Sequence, residues 1–190
     1  KPICDRLSFW WMGSTDAILY AWWKFSCKRK NDTYYTLDGD KILKESGPHG
    51  TLVYYYGASG IIGFRYNGID YYYRKNLQGD VIAIHSASGT CVATYAYDAW
   101  GKVLAVNNYT DDNIGDLNPI RYRSYYYDVE TGLYYLNSRY YDPSIGRFIN
   151  ADGVIAGVGG SIQGYNQFAY CFNNPVMYVD NDGAWPDWNK

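Results

Sequence analysis

The sequence is poor in charged residues and has no excess of basic ones. Asp, Glu, Lys and Arg make up 19% of the 190 residues, and the formal net charge is −2. Proteins that bind nucleic acids through bulk charge carry a basic surface. The composition therefore excludes that class, and we expect no nucleic-acid partner. Hydrophobic residues make up 47% of the chain, which excludes an intrinsically disordered protein.

Closely spaced cysteine and histidine pairs are also absent. The four cysteines are far apart, without a Cys-x-x-Cys step, and only two histidines occur. Disulfide frameworks and zinc sites need denser or paired spacing, so we predict unpaired, mostly buried thiols. The glycine-rich residues 153–164 lack a phosphate-binding signature and predict a flexible loop. We therefore expect no metal and no cofactor. The residues concerned are Cys4, Cys27, Cys91, Cys171, His49 and His85.

Residues 1–32 differ from the rest of the chain by their tryptophans and basic residues. Their apolar stretch is interrupted by Asp16 and followed by Lys28, Arg29 and Lys30. A membrane span needs about 20 apolar residues without a central acid, so membrane association is not expected. A signal peptide with a clear cleavage site is missing as well. We interpret residues 1–32 as an atypical leader without a recognised domain.

Tyrosine and glycine are abundant, with 24 and 20 copies, and they recur in a loose repeat. A Tyr, three residues, a Gly and then aliphatic residues occur at residues 35–43 and 97–105, and a looser copy occurs at 76–84. Tyr and β-branched residues favour strands, and Gly supplies the turn. Runs at 71–75, 92–97 and 133–141 are each typical of one strand. The pattern predicts an all-β chain of hairpins.

Two further segments carry local expectations. The polar residues 111–118 predict a loop. The one helix that we expect is short and lies near residues 161–168.

The C-terminal third contains a long ordered motif. Residues 121–152 include Arg-Tyr-Tyr-Asp-Pro at 139–143 and Gly-Arg-Phe at 146–148, and they end on Asp152. The motif continues at 166–175 and in Asp180-Asn-Asp-Gly183. This segment resembles the RHS-repeat-associated core domain, and the preceding hairpins resemble the Tyr-Asp (YD) repeats of the same proteins. The resemblance covers roughly residues 33–186. It divides the chain into repeats at 33–118, a core domain at 119–186 and a tail at 187–190.

The resemblance implies a scaffold that encapsulates and delivers a toxin. In bacterial members of this family, the repeats resemble a ribbon of strands that spirals into a shell around a C-terminal toxin. The implied partners are further RHS repeats of a longer chain and a toxin cargo, for which the segment after the core domain here is too short. The implied location is secreted or at the surface of a bacterial cell.

The resemblance also implies an aspartic protease that cuts only its own chain. Arg139, Asp152 and Asp180 match the catalytic positions, and the cut would fall between Ala184 and Trp185. Two close carboxylates can divide the work, since one keeps a proton while the other activates water. The sequence departs from the family pattern at Asn181, where Pro is usual, and at Ala184, where a large hydrophobic residue is usual.

Three other interpretations remain open. Asp152-Gly153 and Asp182-Gly183 could be ordinary turns, with Asp180 as a turn cap, in a scaffold without protease activity. Aromatic hairpin repeats could also bind carbohydrate at the cell surface or in the cell wall, although those repeats keep a tighter period. Finally, the chain could be a truncated remnant without function.

Overall fold

An antiparallel sheet of eight strands forms the first part of the fold. The computed structural model describes residues 33–152, 166–184 and 186–188. Each strand of the large sheet pairs with the next strand in sequence, as expected for consecutive hairpins. The strands are β1 Tyr34–Asp38, β2 Lys41–Gly47, β3 Gly50–Gly57, β4 Gly60–Tyr66, β5 Ile69–Lys75, β6 Val81–Ser86, β7 Cys91–Tyr97 and β8 Val103–Asn108. The predicted all-β class is confirmed.

The predicted glycine turns join these strands. In the turn between β4 and β5, Asn67 has φ 50° and Gly68 has φ 81°. Positive φ at two successive residues is the turn geometry that matches the twist of paired strands. Asn and Gly are the residues that adopt it with least strain. Local sequence chemistry therefore fixes where the chain reverses.

One helical turn replaces part of the loop predicted at residues 111–118. Helix α1 (Ile114–Leu117) begins after Asn113, which has φ 49°, and buries Ile114 against the large sheet. The Asn108 side chain accepts a hydrogen bond from the Gly115 amide (2.7 Å). These contacts with the sheet stabilise a helix that is too short to be evident from its own sequence.

Helices are otherwise few in the part of the chain that the structure describes. Of the helix expected near residues 161–168, residues 161–165 lie outside that part, and Gln167 and Phe168 form a turn. No helix in the described ranges is long and apolar enough to cross a membrane.

Two smaller sheets follow the large one. A four-stranded sheet has the order β12-β11-β10-β9, and a two-stranded sheet pairs β13 with β14. The run at 133–141, predicted as one strand, is a hairpin, because Asn137 adopts φ 54° and reverses the chain after β10. The strands are β9 Tyr126–Asp128, β10 Leu133–Leu136, β11 Arg139–Asp142, β12 Arg147–Phe148, β13 Tyr178–Asp180 and β14 Pro186–Trp188.

Two adjoining clusters of buried side chains form the core. The first lies on the large sheet, and its members are mostly aliphatic. The second lies on the smaller sheets, and its members are mostly tyrosines. Tyr97 packs against both clusters, so the two cores are continuous. The first cluster contains Leu52, Tyr54, Ile61, Phe64, Tyr71, Val81, Ile84, Val92, Ala93, Tyr95, Ile114 and Ile120. The second contains Tyr122, Tyr125, Tyr134, Leu136, Tyr141, Phe148, Tyr170 and Cys171.

Three buried tyrosines attach the second cluster to the turn between β7 and β8. Their hydroxyls donate to three successive main-chain carbonyls of that turn. The pairs are Tyr122 with Ala99 (2.9 Å), Tyr141 with Trp100 (2.7 Å) and Tyr134 with Gly101 (2.8 Å). Gly101 has φ 87°, and a Cβ there would lie 2.4 Å from the Tyr122 ring. The turn therefore fits closely against the tyrosines.

Removing one of these hydroxyls should destabilise the protein. Tyr141→Phe leaves the Trp100 carbonyl without its donor, so we expect a loss of about 1–3 kcal/mol in the free energy of unfolding. Tyr72→Phe is the control because Tyr72 is 43% exposed on the large sheet, and we expect a change below about 0.5 kcal/mol. Urea denaturation measures both, and equal effects would contradict the role of the buried hydroxyl.

A buried arginine fixes the segment that leads into β13. The Arg123 guanidinium donates to the carbonyls of Gln78 (2.9 Å) and Pro175. The Arg123 amide donates to the Asp80 carboxylate (3.0 Å). The turn between β5 and β6 is thereby linked to the residues just before β13, the strand that ends on Asp180.

Candidate functional site

The turn between β10 and β11 and the loop after β13 form the candidate site. Asn137 and Ser138 make the turn, and Arg139 is the first residue of β11. Asp180 ends β13, and the strand register pairs it with Pro186. After Asp180, residues 181–184 return past the β10–β11 turn. They include Ala184, the residue before the predicted cut.

Arg139 lies at the centre of this arrangement. Its Nη2 is 3.2 Å from Asp152 Oδ2 and 3.6 Å from Asp180 Oδ2. The guanidinium is also 3.7 Å from the centre of the Phe148 ring. Arg139 is 6% exposed, and Asp180 is completely buried. One buried cation therefore faces two carboxylates from different parts of the chain.

The same guanidinium donates to main-chain carbonyls on both sides. Nη1 donates to Gln167 (3.0 Å), Nε donates to Gly183, and Nη2 donates to Ala184 (3.4 Å). The Gln167 carbonyl also accepts the Asp152 amide (3.1 Å). Arg139 thus contacts the carbonyl of the peptide bond that the sequence predicts to be cut.

Burial changes the acid–base behaviour of the site. Loss of solvent raises the pKa of Asp180 to about 6, although Arg139 and the Gly183 amide oppose the shift. The Gly183 amide donates to Asp180 Oδ1 (2.7 Å). Asp180 Oδ2 accepts no hydrogen bond from any residue within the described ranges. Burial also lowers the pKa of the Arg139 guanidinium.

The structure brings together Arg139, Asp152 and Asp180, the three residues that the resemblance implies as catalytic, and adds the Ala184 carbonyl. Trp185, on the other side of the predicted cut, lies outside the described residues. Asp180 also closes the turn through the Gly183 amide, so the turn-cap interpretation and the charged cluster describe the same carboxylate. Ser138 was not predicted as a site residue, although it directly precedes Arg139 in the motif.

The other predicted features lie away from this site or outside the described ranges. Cys91 and Cys171 are free thiols, and burial raises the pKa of Cys171 to about 12. His85 lies on β6. Within residues 33–152, 166–184 and 186–188, no cluster of three or more His, Cys, Asp or Glu is placed to hold a metal. Cys4, Cys27 and the glycine-rich residues 153–164 fall outside those ranges.

Comparison with known proteins identifies the family. The Teneurin YD-shell family model matches residues 44–176. The chain belongs to this family. The tRNA3(Ser)-specific nuclease WapA of Bacillus spizizenii is 44% identical over 160 residues, which are 82% of this chain and 7% of that protein. The double-stranded DNA deaminase toxin A of Burkholderia cenocepacia is 44% identical over 84 residues, which are 44% of this chain and 5% of that protein.

Solved structures show the same fold. The TcdB2-TccC3-Cdc42 crystal structure matches this YD-shell chain with a TM-score of 0.63 and 22% identity, over 83% of this chain and 8% of that one. The predicted resemblance to RHS and YD-repeat proteins is confirmed. The chain spans less than a tenth of the length of these relatives.

Proposed function

We propose that this YD-shell chain is part of a scaffold that carries a toxin, and that it cuts its own backbone after Ala184. The contact of Arg139 with both carboxylates and with the Ala184 carbonyl is the observation that carries this proposal. An arginine in that position can polarise a carbonyl while it holds the carboxylates close together. The sequence motif and the geometry support the same three residues.

The two carboxylates have different surroundings, and these suggest different roles. Asp180 is fully buried and has the raised pKa, so it is the carboxyl group that holds the proton below about pH 6. Asp152, with 16% of its side chain exposed, takes a proton from the attacking water. The water oxygen bonds to the Ala184 carbonyl carbon, and negative charge develops on the oxygen facing Arg139. Asp180 then protonates the Trp185 nitrogen, and the C–N bond breaks to leave a carboxylate and an amine.

The wider role follows from the family. Relatives named as a nuclease and a deaminase toxin support a cargo that continues from the core domain of a longer chain. In this proposal, residues 33–118 are shell repeats and residues 119–186 form the core domain. The chain is secreted or lies at the surface of a bacterial cell. The family match supports this scaffold over a carbohydrate-binding module.

The direct test is the intact mass of the chain with about 20 extra residues after Lys190. We expect the purified protein to lose Trp185 and everything after it. Asp152→Asn and Asp180→Asn should each keep the full mass, because neither can complete the proton transfers. Asp142→Asn is the matched control on β11, since its carboxylate accepts bonds from Ser144 (2.8 and 2.6 Å). It should be cut like the parent.

Two results would overturn the protease proposal. One is a folded parent that keeps its full mass after prolonged incubation. The other is a cut that persists in both Asp152→Asn and Asp180→Asn, which would identify a contaminating protease. Circular dichroism of each variant establishes that the protein is folded.

A further inference from the structure

The β10–β11 turn and the first residue of β11 together contact three successive carbonyls ahead of the proposed cut. The Ser138 amide donates to Asp182 (3.2 Å), and the Ser138 hydroxyl lies 2.8 Å from the Asp182 carbonyl and 2.6 Å from that of Gly183. Arg139 donates to Gly183 and Ala184. Ser138 and Arg139 thus hold the main chain of residues 182–184. None of these bonds involves a side chain of that segment.

Gly183 is required for this close approach. It has φ 73°, which disfavours other residues, and a Cβ would lie 2.3 Å from the Leu136 carbonyl and 2.8 Å from the Ser138 hydroxyl. A side chain at position 183 would push the segment away from the turn. The turn therefore recognises the main chain of this segment and requires that position 183 has no side chain.

We propose that Ser138 is a positioning residue that sets which peptide bond is cut, by holding the carbonyls of Asp182 and Gly183 so that the Ala184 carbonyl reaches Arg139. This inference rests on the proposed self-cleavage. It adds what determines the peptide bond that is cut. The substrate is a main-chain segment with Gly at position 183. Since the Ala184 side chain is exposed, its size contributes little.

The first experiment measures the rate and position of the cut in the extended 190-residue chain. Ser138→Ala should slow the cut about tenfold, because a hydrogen bond to the segment is lost. It should also produce some cutting at a neighbouring bond. Ser138→Thr keeps a hydroxyl and should recover most of the rate. Ala184→Leu should be cut at a rate within about threefold of the parent. Ser144→Ala, which removes a turn hydroxyl away from the segment, is the control.

The pH dependence of the rate separates positioning from an effect on the acid–base groups. Ser138→Ala should lower the maximal rate and leave the midpoint of the pH profile unchanged. Cutting of Ser138→Ala at the parent rate and at the same bond overturns the proposal. A tenfold slower cut in Ala184→Leu overturns the claim that the size of the side chain at position 184 contributes little to specificity.

A second measurement judges Ser138 without using the cut. In the Asp152→Asn background, hydrogen exchange at the Gly183 and Ala184 amides reports whether the segment is held, since these amides bond to Asp180 and Asp182. Adding Ser138→Ala should speed their exchange about tenfold at an unchanged melting temperature. Unchanged exchange overturns the Ser138 proposal. An uncut parent overturns the proposed function separately.

Discussion

Arg139→Met is expected to lower the free energy of unfolding by about 3–5 kcal/mol and to abolish self-cleavage. Removing one partner of a buried ion pair leaves the other charge uncompensated, and that cost is typically of this size. Here the loss is shared by two carboxylates, of which Asp180 is fully buried. The carbonyls of Gln167, Gly183 and Ala184 lose a donor as well. Methionine keeps much of the side-chain volume, so the effect arises mainly from charge and hydrogen bonds.

Arg147→Met on the adjacent strand is the matched control. Arg147 is exposed, and the one hydrogen bond described for its side chain is a long contact with Asn166 (3.4 Å). We expect a change below about 0.5 kcal/mol. Adding Asp180→Asn to Arg139→Met should recover part of the stability, because it removes the buried unpaired carboxylate. Urea denaturation at pH 8 measures all three proteins. If Arg139→Met and Arg147→Met lose the same stability, the buried cation does not hold the site together.

The hairpins could be predicted from the sequence because their signals are local. A turn such as Asn67-Gly68 needs only two residues with positive φ, and those residue types reveal it. The run at 133–141 was mispredicted because its turn contains Asn137 and Ser138 without a glycine. The α1 turn was missed because it depends on Asn108 and on burial of Ile114 against the sheet.

The candidate site was only partly predictable for a related reason. Arg139, Asp152 and Asp180 match positions of a family motif, and that resemblance implied carboxylate chemistry. Ser138 contributes through bonds to carbonyls 44 and 45 residues away. Every residue has a main-chain carbonyl, so the residue types do not show which carbonyls accept a hydrogen bond. Such a contact becomes visible only when the fold brings the two segments together.

The stability of the protein is expected to fall as the pH rises from about 4 to about 6. The pKa of Asp180 is about 6 in the folded protein, against an ordinary value of 3.8. In this window the folded state binds a proton that the unfolded state has released, so raising the pH favours unfolding. The shift corresponds to a change on the order of 2–3 kcal/mol, with the full stabilisation present below pH 4.

Variants isolate this contribution from other titrating groups. The difference in unfolding free energy between the parent and Asp180→Asn should change by on the order of 2–3 kcal/mol between pH 4 and pH 7. Asp70→Asn is the control, because the hydrogen bonds from Arg65 and Tyr55 lower the pKa of Asp70 to about 2. The stabilisation by Asp70 is lost only below pH 4. The difference in unfolding free energy between the parent and Asp70→Asn should therefore stay constant between pH 4 and pH 7. Parallel curves for the parent and Asp180→Asn would show that Asp180 does not titrate near pH 6.

The rate of self-cleavage should depend on the protonation of the same carboxyl group, Asp180. The general acid must be protonated at the moment when the C–N bond breaks, so the rate should fall about tenfold per pH unit above pH 6. Single-turnover rates from intact mass between pH 4 and pH 8 measure this profile. Because the proton that stabilises the fold is also the one that is transferred, the midpoints of the stability and rate profiles should coincide. A rate that rises through pH 6 would assign the proton to a different group and would remove Asp180 from the role of acid.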